Sequence, residues 1–229
     1  MTRASTSVNL AERQLTDRAS AARLVPVSRE TQQRLAILVD LLTRWRKATN
    51  LISEISFASV WTRHIADSAQ LLGLAPRSKR WVDMGSGAGF PGLVIAIQLA
   101  EVPGAIVHCI ESDQRKCAFL REAARATGAA AQIHPQRVDA VNADRLGPVD
   151  VVTARAFAPL PVTLELARVW LERGAQGVFP RGRSAADQLK GLHLNRAFAL
   201  EVLPSVVDAD AAILRIRENR EPDGRDPAA

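Results

Sequence analysis

Residues 81–92 read WVDMGSGAGFPG: an aspartate after an apolar pair, glycines at 85, 87 and 89, and a Phe-Pro-Gly exit. Without a Cβ, a glycine takes positive φ at little cost and lets a ligand lie directly against the backbone. The stretch therefore reads as a cradle between the end of a strand and a helix whose first turn suits Pro91. GAGFPG also satisfies G-x-G-x-x-G, so a nicotinamide or flavin dinucleotide stays open as its ligand. Asp83 precedes Gly85 by two residues, giving D-x-G-x-G-x-G. A carboxylate in that place is expected to reach the amine of an amino-acid ligand rather than a pyrophosphate. Glu111 closes the next apolar run, VHCIE, and at a strand tip is expected to accept from both hydroxyls of a ribose. Together Asp83, Gly85, Gly87, Gly89 and Glu111 point to an adenosine-bearing ligand without choosing which one.

Other chemistry is thinly encoded. Cys109 and Cys117 both fall inside segments that read as regular structure, and with four scattered histidines they make no metal-ligand spacing. The expectation is two core thiols, no metal and a reducing, cytoplasmic setting. No apolar run reaches the length of a membrane span, so no membrane partner is expected. Thirty basic residues against 24 acidic give a formal net charge of +6, which suits a polyanionic partner.

The elements that must position these residues follow from periodicity. Residues 1–25 contain Glu12 and Asp17 and no apolar signal core, and read as a helical extension or a loose, disordered one. Over 26–78 apolar residues recur at helical spacing (Leu35, Leu38, Val39, Leu42, Trp45), which predicts about three short helices. From 79 to 220 short β-rich runs alternate with helical ones, which predicts an α/β fold with a mainly parallel sheet and helices on both faces. Helices are predicted over about 160–173 and 185–191, and the polar tail 221–229 is predicted to fray.

Several stretches occur in order: NLISEI at 50–55, RHIADS at 63–68, VDMGSGAGFPGLVIAI at 82–97, ESDQRKCAFL at 111–120, QRVDA at 136–140 and TARAFAPL at 153–160. In these the chain resembles the Rossmann-like S-adenosylmethionine-dependent methyltransferases, and within them the small-subunit ribosomal RNA methyltransferase G family (RsmG, also called GidB). The resemblance spans about 30–190 and implies a seven-stranded sheet. It also implies S-adenosylmethionine as cofactor, and methylation of a guanine N7 in the 530 loop of 16S rRNA, as naked RNA or within the small ribosomal subunit. It further implies that Gly85 and Phe90 line the cofactor, that Val138 and Asp139 contact its adenine, and that Arg155 stands between cofactor and base. The family's usual Leu-Lys-Gly near the fifth strand reads Pro180-Arg181-Gly182 here, which keeps the charge but unsettles the role.

The residues support this choice on their own terms. Guanine N7 already carries a lone pair, so transfer needs alignment more than a general base. Methylation of an exocyclic amine comes with an Asn-Pro-Pro-Tyr-like motif, whereas this chain reads Ala-Arg-Ala-Phe-Ala-Pro after the fourth strand and has no tyrosine. Carbon-5 methylation of a pyrimidine needs a cysteine nucleophile at the site. Arg115, Lys116, Arg137, Arg155, Arg181 and Arg183 follow strand ends on one side of the sheet and are expected to form a basic rim for RNA. Phe157 is a candidate for stacking a base, with core packing as the other reading. His64 reads as a capping or packing histidine, and Arg63 and Asp67, one turn apart, as a local ion pair. Two alternatives remain: an NAD-dependent oxidoreductase, and a non-catalytic ribosome-associated binding module.

Overall fold

A computed structural model describes residues 2–182 and 197–219, together with the side chains of residue 10 and of 12 onward within those ranges. The helix expected over 185–191, Arg183 and the tail 221–229 lie outside the described residues. The N-terminal extension forms a helix, α1 (Thr2–Leu24). The helical region that follows holds α2 (Arg29–Trp45), the short α3 (Glu54–Phe57), a π-helix (Trp61–Ala66) and α4 (Asp67–Leu74). α2 starts where the Ser28 hydroxyl accepts from the Thr31 amide, and it buries Leu35, Leu38, Val39, Leu41 and Leu42 on one side. The buried stripe is what the helical spacing of apolar residues predicts.

The sheet holds seven strands: β1 (Arg80–Met84), β2 (Ile106–Glu111), β3 (Ala131–Pro135), β4 (Val151–Thr153), β5 (Gln176–Arg181), β6 (Phe198–Pro204) and β7 (Ala212–Glu218). Their order is β3-β2-β1-β4-β5-β7-β6, with β7 antiparallel to both neighbours and the other pairings parallel. The crossovers carry α5 (Gly92–Gln98), α6 (Gln114–Thr127) and α7 (Leu160–Leu171).

Strand alternation assigns the two faces. Trp81, Val107, Cys109 and Val151 pack with Leu71 of α4 and Ile95 of α5. Val82, Met84, Ile110 and Val152 pack on the other face with Leu160, Ala167 and Trp170 of α7. The N-terminal helices join the α5 and α6 side through one continuous cluster that includes Leu38, Phe57, Trp61, Leu93 and Phe119. The order reverses between β1 and β4, and at such a switch point the crossovers diverge and leave a crevice at the strands' carboxyl ends.

Candidate active site

The glycine loop leaves β1 at that crevice. Gly85 and Ser86 donate their amides to the Ile110 carbonyl at 2.9 and 3.0 Å, and the Gly89 amide donates to the Ser86 carbonyl at 2.7 Å. All three glycines have positive φ, between 55° and 88°, which is why no β-branched residue could follow this path. Their roles then diverge. A Cβ on Gly85 would lie 2.3 Å from the Phe157 ring, and one on Gly89 would lie 2.7 Å from Leu93. Only at Gly87 would the added carbon meet nothing nearer than a carbonyl oxygen at 3.8 Å. Gly85 and Gly89 are thus demanded by packing, and Gly87 opens onto the crevice. Gly89 does not line it, which corrects the expectation that all three glycines face the ligand.

The crevice is a cavity of about 480 Å³, within the size range of small-molecule sites. Glu111, 8% exposed, borders it with a carboxylate held from behind. Oε2 accepts from the Gly87 amide at 2.9 Å and Oε1 from the Asp113 amide at 2.8 Å. A carboxylate has about four lone-pair positions, so each oxygen keeps acceptor capacity for a ligand. Further along the rim, buried Val138 and exposed Asp139 border the cavity, and Asp139 pairs with Arg137 through bonds of 2.9 to 3.3 Å. Lys116 and Arg137 line the cavity edge, whereas Arg115 is exposed and outside the lining.

Asp83 requires a correction. It is fully buried and absent from the cavity wall; Oδ2 accepts from the Gly92 amide at 2.9 Å, and Oδ1 has no hydrogen-bond partner among the described residues. Strand alternation explains this: Asp83 shares its face with Trp81, beneath the start of α5, so its carboxylate points under the loop and not over it. Burial pushes the carboxyl up to about 6, against the pull of the Ser86 side chain and then of the Gly92 amide. A carboxyl raised from 3.8 to about 6 binds more protons folded than unfolded between those values. The stability it contributes relative to a neutral residue is complete below about pH 4 and lost as pH rises through about 6. Urea unfolding should therefore find wild type gaining on Asp83→Asn, by up to ~2 kcal/mol, between pH 7.5 and 4.5. A difference independent of pH would mean that the carboxyl does not titrate there.

The mouth of the cavity joins the two halves of the chain. Arg155 follows β4 and is 17% exposed at its side chain. Its Nη1 donates to the Arg63 carbonyl at 3.1 Å and to Asp67 Oδ2 at 3.0 Å, and Nη2 lies 2.8 Å from His64 Nδ1. The guanidinium also sits 5.2 Å from the Phe90 ring centroid, and the His64 ring stacks on Phe90 at 4.9 Å. Arg63 and Asp67 therefore do not form the local pair expected; Asp67 is taken by Arg155 from another element. A guanidinium only donates, so His64 Nδ1 accepts and the proton resides on Nε2. Burial, then the charges of Arg155 and Arg63, hold His64 down to about 3, so the ring is neutral. The next residue, Ala156, has a φ of 49°, backbone strain of a kind that gathers at functional sites.

Two further expectations change. Arg181 is 7% exposed and does not border this cavity; it lines separate grooves beside Pro180 and Gly182, and burial lowers its pKa. Its place on a rim of the cavity is thus corrected, because β5 lies one strand beyond the switch point. His64, read as a packing residue, lines the cavity together with Leu51 and Ile52. The signal was their presence in RHIADS and NLISEI. Phe157 lies half-buried at the wall over Gly85. Both cysteines are buried, burial raising their pKa values; the Cys117 thiol donates to the Glu111 carbonyl, so neither is poised as a nucleophile.

The family model described as rRNA small subunit methyltransferase G matches residues 31–212, from the helical region through most of the sheet. The chain belongs to that family. A ribosomal RNA small subunit methyltransferase G of Methylorubrum populi is 45% identical over 190 residues, which cover 83% of this chain and 90% of that protein. Its namesake in Parvibaculum lavamentivorans is 45% identical over 213 residues, covering 93% and 94%. Among solved structures, cofactor-bound Rv0187 from MTB superposes with a TM-score of 0.57 at 17% identity, over 82% of this chain and 91% of that one. A variant of MtNAS in complex with S-adenosylmethionine gives 0.50 at 15% identity, over 95% and 92%. These structural likenesses establish the Rossmann-like fold. The methyltransferase G motifs in this chain converge on one cavity: the glycine loop, RHIADS, QRVDA and the Arg-Ala-Phe of 155–157 each contribute to its wall.

Proposed function

We propose that this chain transfers a methyl group from S-adenosylmethionine to the N7 of a guanine in 16S rRNA, in the 530 loop that its family modifies. The observation that carries the reading is the Glu111 carboxylate. It is fixed by two amides at the switch point, keeps free lone pairs, and faces the opening above Gly87. Such an acceptor fits two vicinal hydroxyls, and Val138 with Asp139 offers an apolar surface and an acceptor for an adenine and its amino group.

When bound, S-adenosylmethionine supplies an electrophilic methyl on a cationic sulfonium. Glu111 would hold the cofactor's ribose and Val138 with Asp139 its adenine, and the bare backbone at Gly87 would let it approach closely. Phe90, flanked by His64 and Arg155, forms an apolar wall at the mouth. Among the described residues the mouth holds no poised general base: His64 is neutral with Nδ1 occupied, Asp139 is paired with Arg137, and Glu111 is tied to amides. This suits N7, whose lone pair needs no deprotonation, and it is a poor setting for the substrate acid or base of an NAD-dependent oxidoreductase. Lys116, Arg137 and Arg115 meet RNA phosphates at the edge, and Phe157 stacks the target base.

The test is purified protein with tritiated S-adenosylmethionine and 16S rRNA, free or in 30S particles, from cells lacking the gene. Label in N7-methylguanosine is expected; label in a pyrimidine, or in neither substrate, would refute the assignment. The acceptor role of Glu111 has its own check by calorimetry. Losing hydrogen bonds to a charged acceptor costs about 1.5–3 kcal/mol, so Glu111→Ala should bind S-adenosylmethionine roughly ten- to a hundredfold more weakly. Glu111→Gln should recover little, since its NH₂ would face one of the two amide donors. An unchanged Kd would leave Glu111 as a brace for the loop alone.

A further inference from the structure

α1 precedes residue 31, where the family match begins, yet it is bonded to the start of the π-helix that supplies His64 to the mouth. The Asp17 carboxylate accepts from the Trp61 amide at 2.8 Å, from the Thr62 amide at 3.3 Å and from the Thr62 hydroxyl at 2.5 Å. Around it, Gln14 donates to the Phe57 carbonyl at 3.2 Å, the Arg18 guanidinium lies 4.7 Å from the Trp61 ring centroid, and Ala21 is buried. The two amides open the π-helix, whose first-turn donors have no helical acceptor and need one from outside. Within one turn of Thr62 stand the Arg63 carbonyl, the His64 ring and the Asp67 carboxylate, which together hold Arg155.

The π-turn makes this register consequential. It carries an extra residue relative to an α-turn, and a shift of one residue rotates a side chain by about 100° around the helix. If the segment relaxed to an α-helix, His64 and Asp67 could not both keep facing Arg155. We infer that Asp17 is a positioning residue for methyl transfer: from outside the family match, it pins the π-helix in the register that presents Arg63, His64 and Asp67 to Arg155. The inference rests on Arg155 and His64 serving the proposed reaction.

The experiment uses the full chain carrying Asp17→Ala, Asp17→Asn or Thr62→Val, the last removing only the 2.5 Å hydroxyl bond. Asp17→Ala should lower kcat at least tenfold while KM for 16S rRNA changes less than twofold. Amides of 61–66 should exchange faster in the ligand-free protein. Asp17→Asn, which keeps one acceptor oxygen, and Thr62→Val should show smaller losses in the same direction, and these decide the matter if Asp17→Ala does not fold. Combined with Arg155→Ala, Asp17→Ala should cause no further loss, because its effect runs through that arginine. A kcat within twofold of wild type in these variants, or losses that multiply in the double variant, would overturn the inference. If the wild-type chain methylates no 16S rRNA, the functional reading fails by itself, and His64 ring ¹⁵N shifts then decide the placement. Loss of the Nε2-protonated tautomer in Asp17→Ala supports it, and an unchanged tautomer refutes it.

Discussion

Gly87→Val is expected to abolish S-adenosylmethionine binding while leaving the protein folded. Two effects combine at this one position. The backbone φ of 55° lies in the left-handed region, where an ordinary side chain costs about 1–2 kcal/mol and a β-branched one is a clear outlier. The new side chain also enters open cavity, since nothing but the Gly85 carbonyl lies within 4 Å of its Cβ. The strain can be relieved only by moving the loop, and that would pull the Gly87 amide away from Glu111, disturbing the acceptor proposed for the ribose. Calorimetry should show affinity reduced by more than a hundredfold, with far-UV circular dichroism unchanged and Tm lowered by only a few degrees. Gly89→Ala makes the contrast: its Cβ would press on Leu93 within the core, so stability should fall more than it does for Gly87→Ala. Wild-type affinity in Gly87→Val would place the ligand elsewhere.

Arg155→Ala should lose methyl transfer by at least a hundredfold, and by far more than it loses cofactor affinity. The substitution removes the group that bonds to the Arg63 carbonyl, Asp67 and His64 at once. Asp67 would keep its charge in a largely buried place with the Gln70 side-chain amide as donor but no counter-charge, and breaking a buried pair costs about 3–5 kcal/mol at the upper end. A measurable drop in Tm should therefore accompany the loss of turnover. His64 would no longer be held to one tautomer, and the Phe90 wall would lose the cation beside it. Arg155→Lys should rescue poorly, because an ammonium cannot span three acceptors that a planar fork reaches together. Single-turnover rates with 16S rRNA, set beside the Kd for S-adenosylmethionine, separate the outcomes. Equal losses in both would assign the arginine to the cofactor, and an unchanged rate would remove it from the site.

The sequence by itself determined the cradle and its acidic partner. Three glycines at alternate positions permit positive φ at little cost, and Glu111 closes an apolar run whose period marks a strand tip. Both signals are local, so they survive without knowledge of neighbours. The alternation of strands and helices likewise specified the mainly parallel sheet, because each period reports only on its own segment. Tertiary structure decided what each side chain meets. Whether Asp83 faces ligand or core depends on which face α5 covers, and that belongs to the crossover, not to the motif. Asp67 lies four residues from Arg63 yet pairs with Arg155, 88 residues away, because the helical region docks against the end of β4. Arg181 is buried where a rim was expected, since the seventh strand inserts antiparallel beside the fifth and closes that edge. Asp17 had only the look of a charge on an extension until α1 laid it against two unpaired amides. Long-range partners are selected in the compact state, where the desolvation of an unpaired charge or amide makes the distant contact decisive; no spacing along the chain records that choice.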